Sequence, residues 1–155
     1  MQVAVCGPRD CSDVEADQAR QVGRLLAEAG ATVLCGGGTG VMAAVAEGAS
    51  SAGGLVIGVR PDTDRDAVCA GLSAVLFTGM GEARNAILVA SADTVIMIGG
   101  SWGTLSELAL ARSRDIPVIS LGTWQILATD GTPLPATISA TDPADAVTRA
   151  LQDNA

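Results

Sequence analysis

An α/β fold, with a doubly wound and mostly parallel sheet in a single domain over residues 1–155, is predicted by three observations. Short apolar segments alternate with longer helix-like segments along the whole chain, the pattern of right-handed βαβ units. Thr94–Ile98 is apolar apart from its first residue, as suits a strand covered on both faces. Two apolar segments run directly into glycine clusters, Gly36-Gly37-Gly38-Thr39-Gly40 and Gly99-Gly100-Ser101-Trp102-Gly103-Thr104.

Gln2–Cys6 alternates as a short strand. Ser12-Asp13-Val14-Glu15 has the spacing of a capping box, and the helix it starts runs to Gly30, a natural stop signal. Thr32–Cys35 is the second strand, and the small residues from about Gly40 to Ala52 form a helix halted by Gly53-Gly54. Leu55–Val59 follows as the third strand, Arg60 to Gly71 as a polar loop, and Ala74–Phe77 as the fourth strand. A helix over about Glu82–Ser91 leads to the central strand Thr94–Ile98. The next helix spans about Thr104–Arg114, and the strand Pro117–Leu121 follows. A turn-rich stretch around Asp130-Gly131 precedes a short last strand over Ala136–Ser139, and Asp142-Pro143 opens the final helix to about Gln152. This order is Rossmann-like. In such sheets ligands bind beyond the C-terminal strand ends, at the topological switch point. The segments that follow strands here are Gly7–Cys11, Gly36–Gly40, Arg60 onward, Gly79–Arg84 and Gly99–Gly103, so all the glycine loops share one edge.

Composition narrows the chemistry. The chain has no His and no Tyr, and its nine basic residues are all Arg. Without Lys there is no Schiff base with pyridoxal phosphate and no Walker-A lysine. Without His there is no Ser-His or Cys-His nucleophile pair, and no metal site is expected. A net charge of −8 argues against a nucleic-acid surface. With 48% hydrophobic residues, the chain is expected to fold into a single core. No apolar run reaches the roughly 20 residues of a membrane span, and the N-terminus enters a strand with no leader pattern, so a cytoplasmic location is expected. Cys6, Cys11, Cys35 and Cys69 form no CxxC pair, and Cys6 and Cys35 read as buried small hydrophobes.

Bare glycines between a strand and a helix let backbone N–H groups approach an anion at the positive end of the helix dipole. Gly36–Gly40 is therefore read as a phosphate loop, against the simpler reading of a tight turn. A dinucleotide reading also exists, because Gly38–Ala43 fits G-x-G-x-x-A and Asp62 follows the next strand. Thr104-Leu105-Ser106-Glu107 is itself a capping box, so Glu107 is either a helix cap or a site carboxylate. Arg84, in the first turn of a helix, opposes the dipole and calls for an anionic partner: Glu82, Asp93 or a ligand phosphate. Trp102 either packs as a lid or stacks on a planar ring. Surface solvation is the default for Arg9, Arg60 and Arg65.

Val33-Leu34-Cys35-Gly36-Gly37-Gly38-Thr39-Gly40-Val41-Met42 resembles a strand–GGG–x–G–h–M segment, and Gly99–Glu107 resembles P-G-G-x-G-T-x-x-E. These motifs are similar to those of the LONELY GUY (LOG) family and its relatives, once mislabelled lysine decarboxylases. The resemblance implies a catalytic pair, Arg84 and Glu107. It also implies a ligand set of Gly36, Gly37, Gly38, Thr39, Gly40, Met80, Gly100, Ser101, Trp102, Gly103 and Thr104. Gly99 stands for the motif proline, Ser101 for its second glycine and Asn85 for the basic residue after the arginine. Met80 precedes Arg84 by one residue more than in the hydrolases. In these respects the chain is more similar to the branch of molybdenum-cofactor carriers.

The resemblance thus implies a binding protein or carrier for a phosphorylated nucleotide or pterin. The alternative is a nucleoside 5′-monophosphate phosphoribohydrolase that releases a free base. Neither requires a cofactor for turnover; the bound molecule would be a molybdenum cofactor or a nucleotide. A homo-oligomer is implied, with the small-residue helix Ala43–Ala52 available for close packing between subunits.

Overall fold

In the computed structural model, which describes residues 1–152, the apolar segments assemble into one sheet. Along the chain, β1 (Gln2–Cys6), α1 (Asp13–Glu28), β2 (Thr32–Cys35), α2 (Val41–Ser51), β3 (Val56–Arg60) and β4 (Ala74–Phe77) form the first half. A 3-10 turn at Gly81–Ala83, α3 (Arg84–Ala90), β5 (Thr94–Ile98), α4 (Trp102–Arg112), β6 (Val118–Leu121), β7 (Ile138–Ser139) and α5 (Pro143–Gln152) complete it. The strand order is β4-β3-β2-β1-β5-β6-β7, and every pair of neighbouring strands is parallel. The fold is α/β and Rossmann-like, with helices on both faces.

Side-chain alternation sorts each strand between two cores. Val3 and Val5 of β1, Ile96 and Ile98 of β5 and Ile119 of β6 pack with α1, α2 and α5. Ala4 and Cys6, Val95 and Met97, and Val118 pack on the opposite face with Leu88 and Val89 of α3 and Leu108 and Ala111 of α4. All five residues of β5 are buried, as its apolar run predicts.

The small residues of α2 serve a contact within the chain. At Gly48 a Cβ would run into the backbone of Arg20 in α1, so α1 and α2 approach at backbone distance. Val45, Ala46, Gly48 and Ala49 are accordingly buried inside the protomer. Within the described residues this accounts for the small-residue face without a second subunit.

Other boundaries differ by a residue or two where caps decide them. Ser12 forms the expected capping box: its Oγ accepts from Glu15 N at 3.2 Å, and Glu15 Oε2 accepts from Ser12 N at 2.7 Å. Helix α4, by contrast, begins at Trp102 rather than Thr104, because Ser101 is its N-cap. The expected helix over Glu82–Ser91 is α3 preceded by the 3-10 turn, and the last strand shortens to Ile138–Ser139. No helix among the described residues is long and apolar enough to cross a membrane.

Candidate functional site

The chain steps outward from β1 through β2 and β3 to β4, then returns to place β5 on the other side of β1. Loops after β1 and β5 therefore leave the sheet in opposite directions, and a crevice opens between them. A cavity of about 570 Å³ occupies it, within the range of small-molecule sites. Its walls come from Cys6 at the end of β1 and Gly7–Asp10 after it, Gly36 after β2, Arg84 and Asn85 of α3, and Gly100–Thr104 with Glu107 around α4.

Arg84 lies in this cavity with only 6% of its surface exposed. Its Nε and Nη1 atoms are buried without a hydrogen-bond partner among the described residues. Neither structural anion considered for it answers: Asp93 accepts the Gln2 backbone N–H at 2.7 Å, and no ion pair joins Arg84 to Glu82 among the described residues. Burial holds the guanidinium below its ordinary pKa, and the nearby Glu107 charge offsets part of that. The guanidinium lies against Gly36, where a Cβ would fall 2.6 Å from Nη1 and 2.8 Å from Nη2. Gly36 is thus bare because the Met42 sulfur and the Arg84 guanidinium together occupy the space of its side chain. Both neighbours of that missing methyl, Arg84 and Met42, are ends of flexible side chains. Gly36→Ala is therefore expected to change stability by less than about 1 kcal/mol while displacing the guanidinium. A fall of about 10-fold or more in phosphate affinity is expected, with urea denaturation and calorimetry as the paired measurements.

Glu107 is 7% exposed in α4 and its carboxyl meets the Cys6 thiol, which donates to it. Burial pushes the Glu107 pKa up to about 7, against the lowering influence of Arg84 and of the Cys6 bond. Cys6 is driven well above the usual thiol value, first by burial and then by the Glu107 charge, so it stays protonated. The cap reading of Glu107 does not hold. Ser101 performs that task, its Oγ accepting from Thr104 N at 3.2 Å and bonding Thr104 Oγ1 at 2.9 Å.

The two motif substitutions acquire physical reasons. Gly99 has φ +65°, a left-handed conformation closed to proline, and a Cβ there would strike the Glu15 carboxylate. Ser101 has extended backbone at φ −152° and uses its hydroxyl to start the helix. Thr104 N–H is thereby occupied, while the first N–H groups of α4, from Trp102 and Gly103, have no partner among the described residues.

The expected ligand set divides. Gly36, Gly100, Ser101, Trp102, Gly103, Thr104, Arg84 and Glu107 surround the cavity. Gly37, Gly38, Thr39, Gly40 and Met80 are not in its wall. Gly37 accepts from Arg60 Nη1 at 3.2 Å through its carbonyl, Thr39 Oγ1 donates to Arg9 O at 3.1 Å, and Gly40 sits against the Pro8 and Arg9 carbonyls. Thr39 and Gly40 thus meet the loop after β1, while Gly37 is tied to Arg60 at the end of β3. Met80 is exposed beyond β4.

Two further expectations change. Arg60 is 6% exposed rather than solvated, bridging Asp62 at 2.6 Å and Gly37 O. Asp62 is consequently tied to Arg60 instead of standing free for a ribose, and the dinucleotide reading loses its acidic residue. The bond to Arg60 holds the Asp62 carboxyl below its usual range. Sequence reasoning missed Cys6 and Asn85 in the cavity wall, and within the edge segment Gly7–Cys11 it did not single out Asp10. Cys6 was hidden by its place in an apolar strand; its alternation with Val5 was the available signal, without naming the face that meets α3 and α4.

A family model described as the SLOG cluster4 family matches residues 1–147. An uncharacterized protein of Archaeoglobus fulgidus is 41% identical over 122 residues, covering 78% of this chain and 80% of its own. A probable cytokinin riboside 5′-monophosphate phosphoribohydrolase of rice, LOGL5 (Oryza sativa subsp. japonica), is 34% identical over 91 residues, 57% of this chain and 37% of the rice protein. Among solved structures, the molybdenum cofactor binding protein of Rippkaea orientalis superposes with a TM-score of 0.86 at 33% identity, covering 96% of this chain and 93% of that one. The molybdenum cofactor carrier protein of Chlamydomonas reinhardtii superposes at 0.84 with 30% identity, over 97% and 96%. The matched span, the glycine loops and the shared fold together place the chain: it belongs to the SLOG cluster4 family, within the LOG-like group and near the molybdenum-cofactor carriers.

Proposed function

We propose that this protein is a carrier that binds a phosphorylated pterin or nucleotide in the β1–β5 cavity, with a molybdenum cofactor as the favoured cargo. The observation that carries this reading is Arg84, a buried guanidinium whose Nε and Nη1 have no partner among the described residues. A buried donor left unpaired is costly, and a phosphate oxygen removes that cost by accepting from it. The free N–H groups at the start of α4 add a second anion-binding element on the same cavity. In this role Arg84 and the α4 N-terminus hold the phosphate, Gly36 leaves room for Arg84, and Trp102 borders the mouth. Residues Gly37–Gly40 support the loop from behind. The kinship with molybdenum cofactor binding proteins supports the choice of cargo. A cytoplasmic location and a homo-oligomer belong to the same proposal, the latter to be measured by sedimentation.

A second reading is favoured by Glu107. A carboxyl beside an arginine in a cavity, titrating near neutrality, has the chemistry to stabilise an oxocarbenium-like transition state when ionised. That reading is a phosphoribohydrolase acting on nucleoside 5′-monophosphates. Against it, Ser101 occupies the Thr104 N–H and Gly99 removes the stiffness of the motif proline.

Binding and turnover are separated by one pair of measurements. Calorimetry with AMP and with a pterin phosphate is expected to show binding, and chromatography is expected to find no base release above background. Release at about 1 s⁻¹ or faster, ordinary for an enzyme, overturns the carrier. Failure of every phosphorylated compound to bind overturns both readings.

A further inference from the structure

Trp102 is 79% exposed at the mouth of the cavity. An indole left in water forgoes the apolar contact that makes Trp a strong recognition residue. Its ring is nevertheless held in place. Trp124, in the segment after β6, meets it in a T-shaped contact with centroids 5.2 Å apart and planes at 80°. Trp124 is seated in turn on the motif loop. A Cβ at Gly100 would fall 2.5 Å from its Cδ1 and 2.6 Å from its Nε1. Gly100 is therefore bare to admit an indole from behind. Trp124 also borders a small apolar cleft with Thr104, Leu105 and Leu108 of α4.

A ring has two faces, and one edge-on or face-on neighbour covers at most one of them. Trp102 thus keeps a free aromatic face beside a cavity that also contains an unpartnered guanidinium. A phosphate alone uses only the second of these. A phosphate monoester carrying a planar bicyclic ring uses both, since stacking on an aromatic face requires only a π-surface.

Resting on the phosphate-binding function proposed above, we propose that Trp102 is the ring-stacking platform of the site and that Trp124, seated on Gly100, is the positioning residue that braces it. The cavity then selects fused-ring phosphates, purine nucleotides or pterin phosphates, over simple sugar phosphates. Trp124 acts through Trp102 and touches no ligand itself.

The test uses the whole chain and three probes: AMP, a pterin phosphate and ribose 5-phosphate. Trp102→Ala and Trp124→Leu are each expected to weaken the two ring-bearing probes by about 10-fold and to leave ribose 5-phosphate unchanged. The double variant loses no more than Trp102→Ala alone, because the two residues form one unit. Trp102→Phe, which keeps an aromatic face, retains most of the affinity. With no Tyr in the chain, indole emission comes from Trp102 and Trp124 alone. AMP is expected to quench it, and ribose 5-phosphate to leave it unchanged. Equal weakening of all three probes, or weakening of none, overturns this inference and leaves the proposed function standing. Variants that alter only the oligomeric state assign Trp102 to a protein contact and overturn it as well. Wild-type protein that binds no probe overturns the function itself and the inference with it.

Discussion

Arg84→Met is expected to reduce affinity for a phosphorylated ligand by about 100-fold or more, and at the same time to stabilise the ligand-free protein. Both effects follow from one geometry. The guanidinium is 6% exposed with two N–H-bearing atoms unsatisfied, so the ligand-free fold carries a desolvation cost on a charged group. Leaving a buried donor unpaired costs about 1–3 kcal/mol, more for charged groups. Methionine fills much of the same volume with no donor to satisfy. A gain on the order of 1 kcal/mol or more is therefore expected in urea denaturation at pH 6. Ligand binding moves the other way, because charge-assisted bonds to a phosphate are lost from a buried site, a loss of about 2–5 kcal/mol. The sequence alone says only that Arg84 calls for an anionic partner; its burial is what couples it to stability. An Arg84→Met protein less stable than wild type, with ligand binding intact, would show that the guanidinium serves the fold.

Because burial holds the pKa of the Glu107 carboxyl at about 7 instead of 4.5, Glu107→Gln should stabilise the ligand-free protein at pH 8 by about 3 kcal/mol. The sign follows from linkage. The folded pKa of about 7 lies above the ordinary 4.5, so between these values the folded state binds more protons than the unfolded one. The associated stability is fully present below about pH 4.5 and is lost as pH rises through about 7. Glutamine is neutral throughout, so the variant's advantage grows across that window and is absent below it. For a chain of this size, 3 kcal/mol corresponds to a rise in Tm of roughly 10 °C. Melting curves at pH 4.5 and pH 8 measure both limits. Arg84 and the Cys6 thiol are the neighbours that lower the Glu107 pKa against its burial. A bound phosphate adds negative charge beside Glu107 and raises its pKa further, so ligand affinity is expected to fall as pH rises above 7. Glu107→Gln should remove that dependence as far as it comes from Glu107, and an unchanged pH profile would assign it to another group.

The sequence by itself determined the features that depend on near neighbours. Alternating apolar segments specify strands and helices because backbone geometry sets their periods. Ser12 and Glu15 specify a helix start because both cap partners lie within one turn. Glycine clusters after strands mark the ligand edge, since loops at one end of a parallel sheet must share it. The absence of Lys and His removed whole classes of chemistry before any fold was known.

Tertiary structure alone decided what depends on distant neighbours. Strand order places β5 beside β1, and only that reversal opens the crevice. The triple-glycine loop was legible as a special loop. Which of its residues faces the cavity was not, because Gly36 is bare for Arg84 while Gly37 serves Arg60. Glu107 matched a cap by spacing and became a buried carboxyl, because Ser101 took the cap and Cys6 and Arg84 closed around it. Burial and pKa are properties of an environment assembled from β1, α3 and α4. No local pattern encodes that environment, so it appears only when those elements pack together.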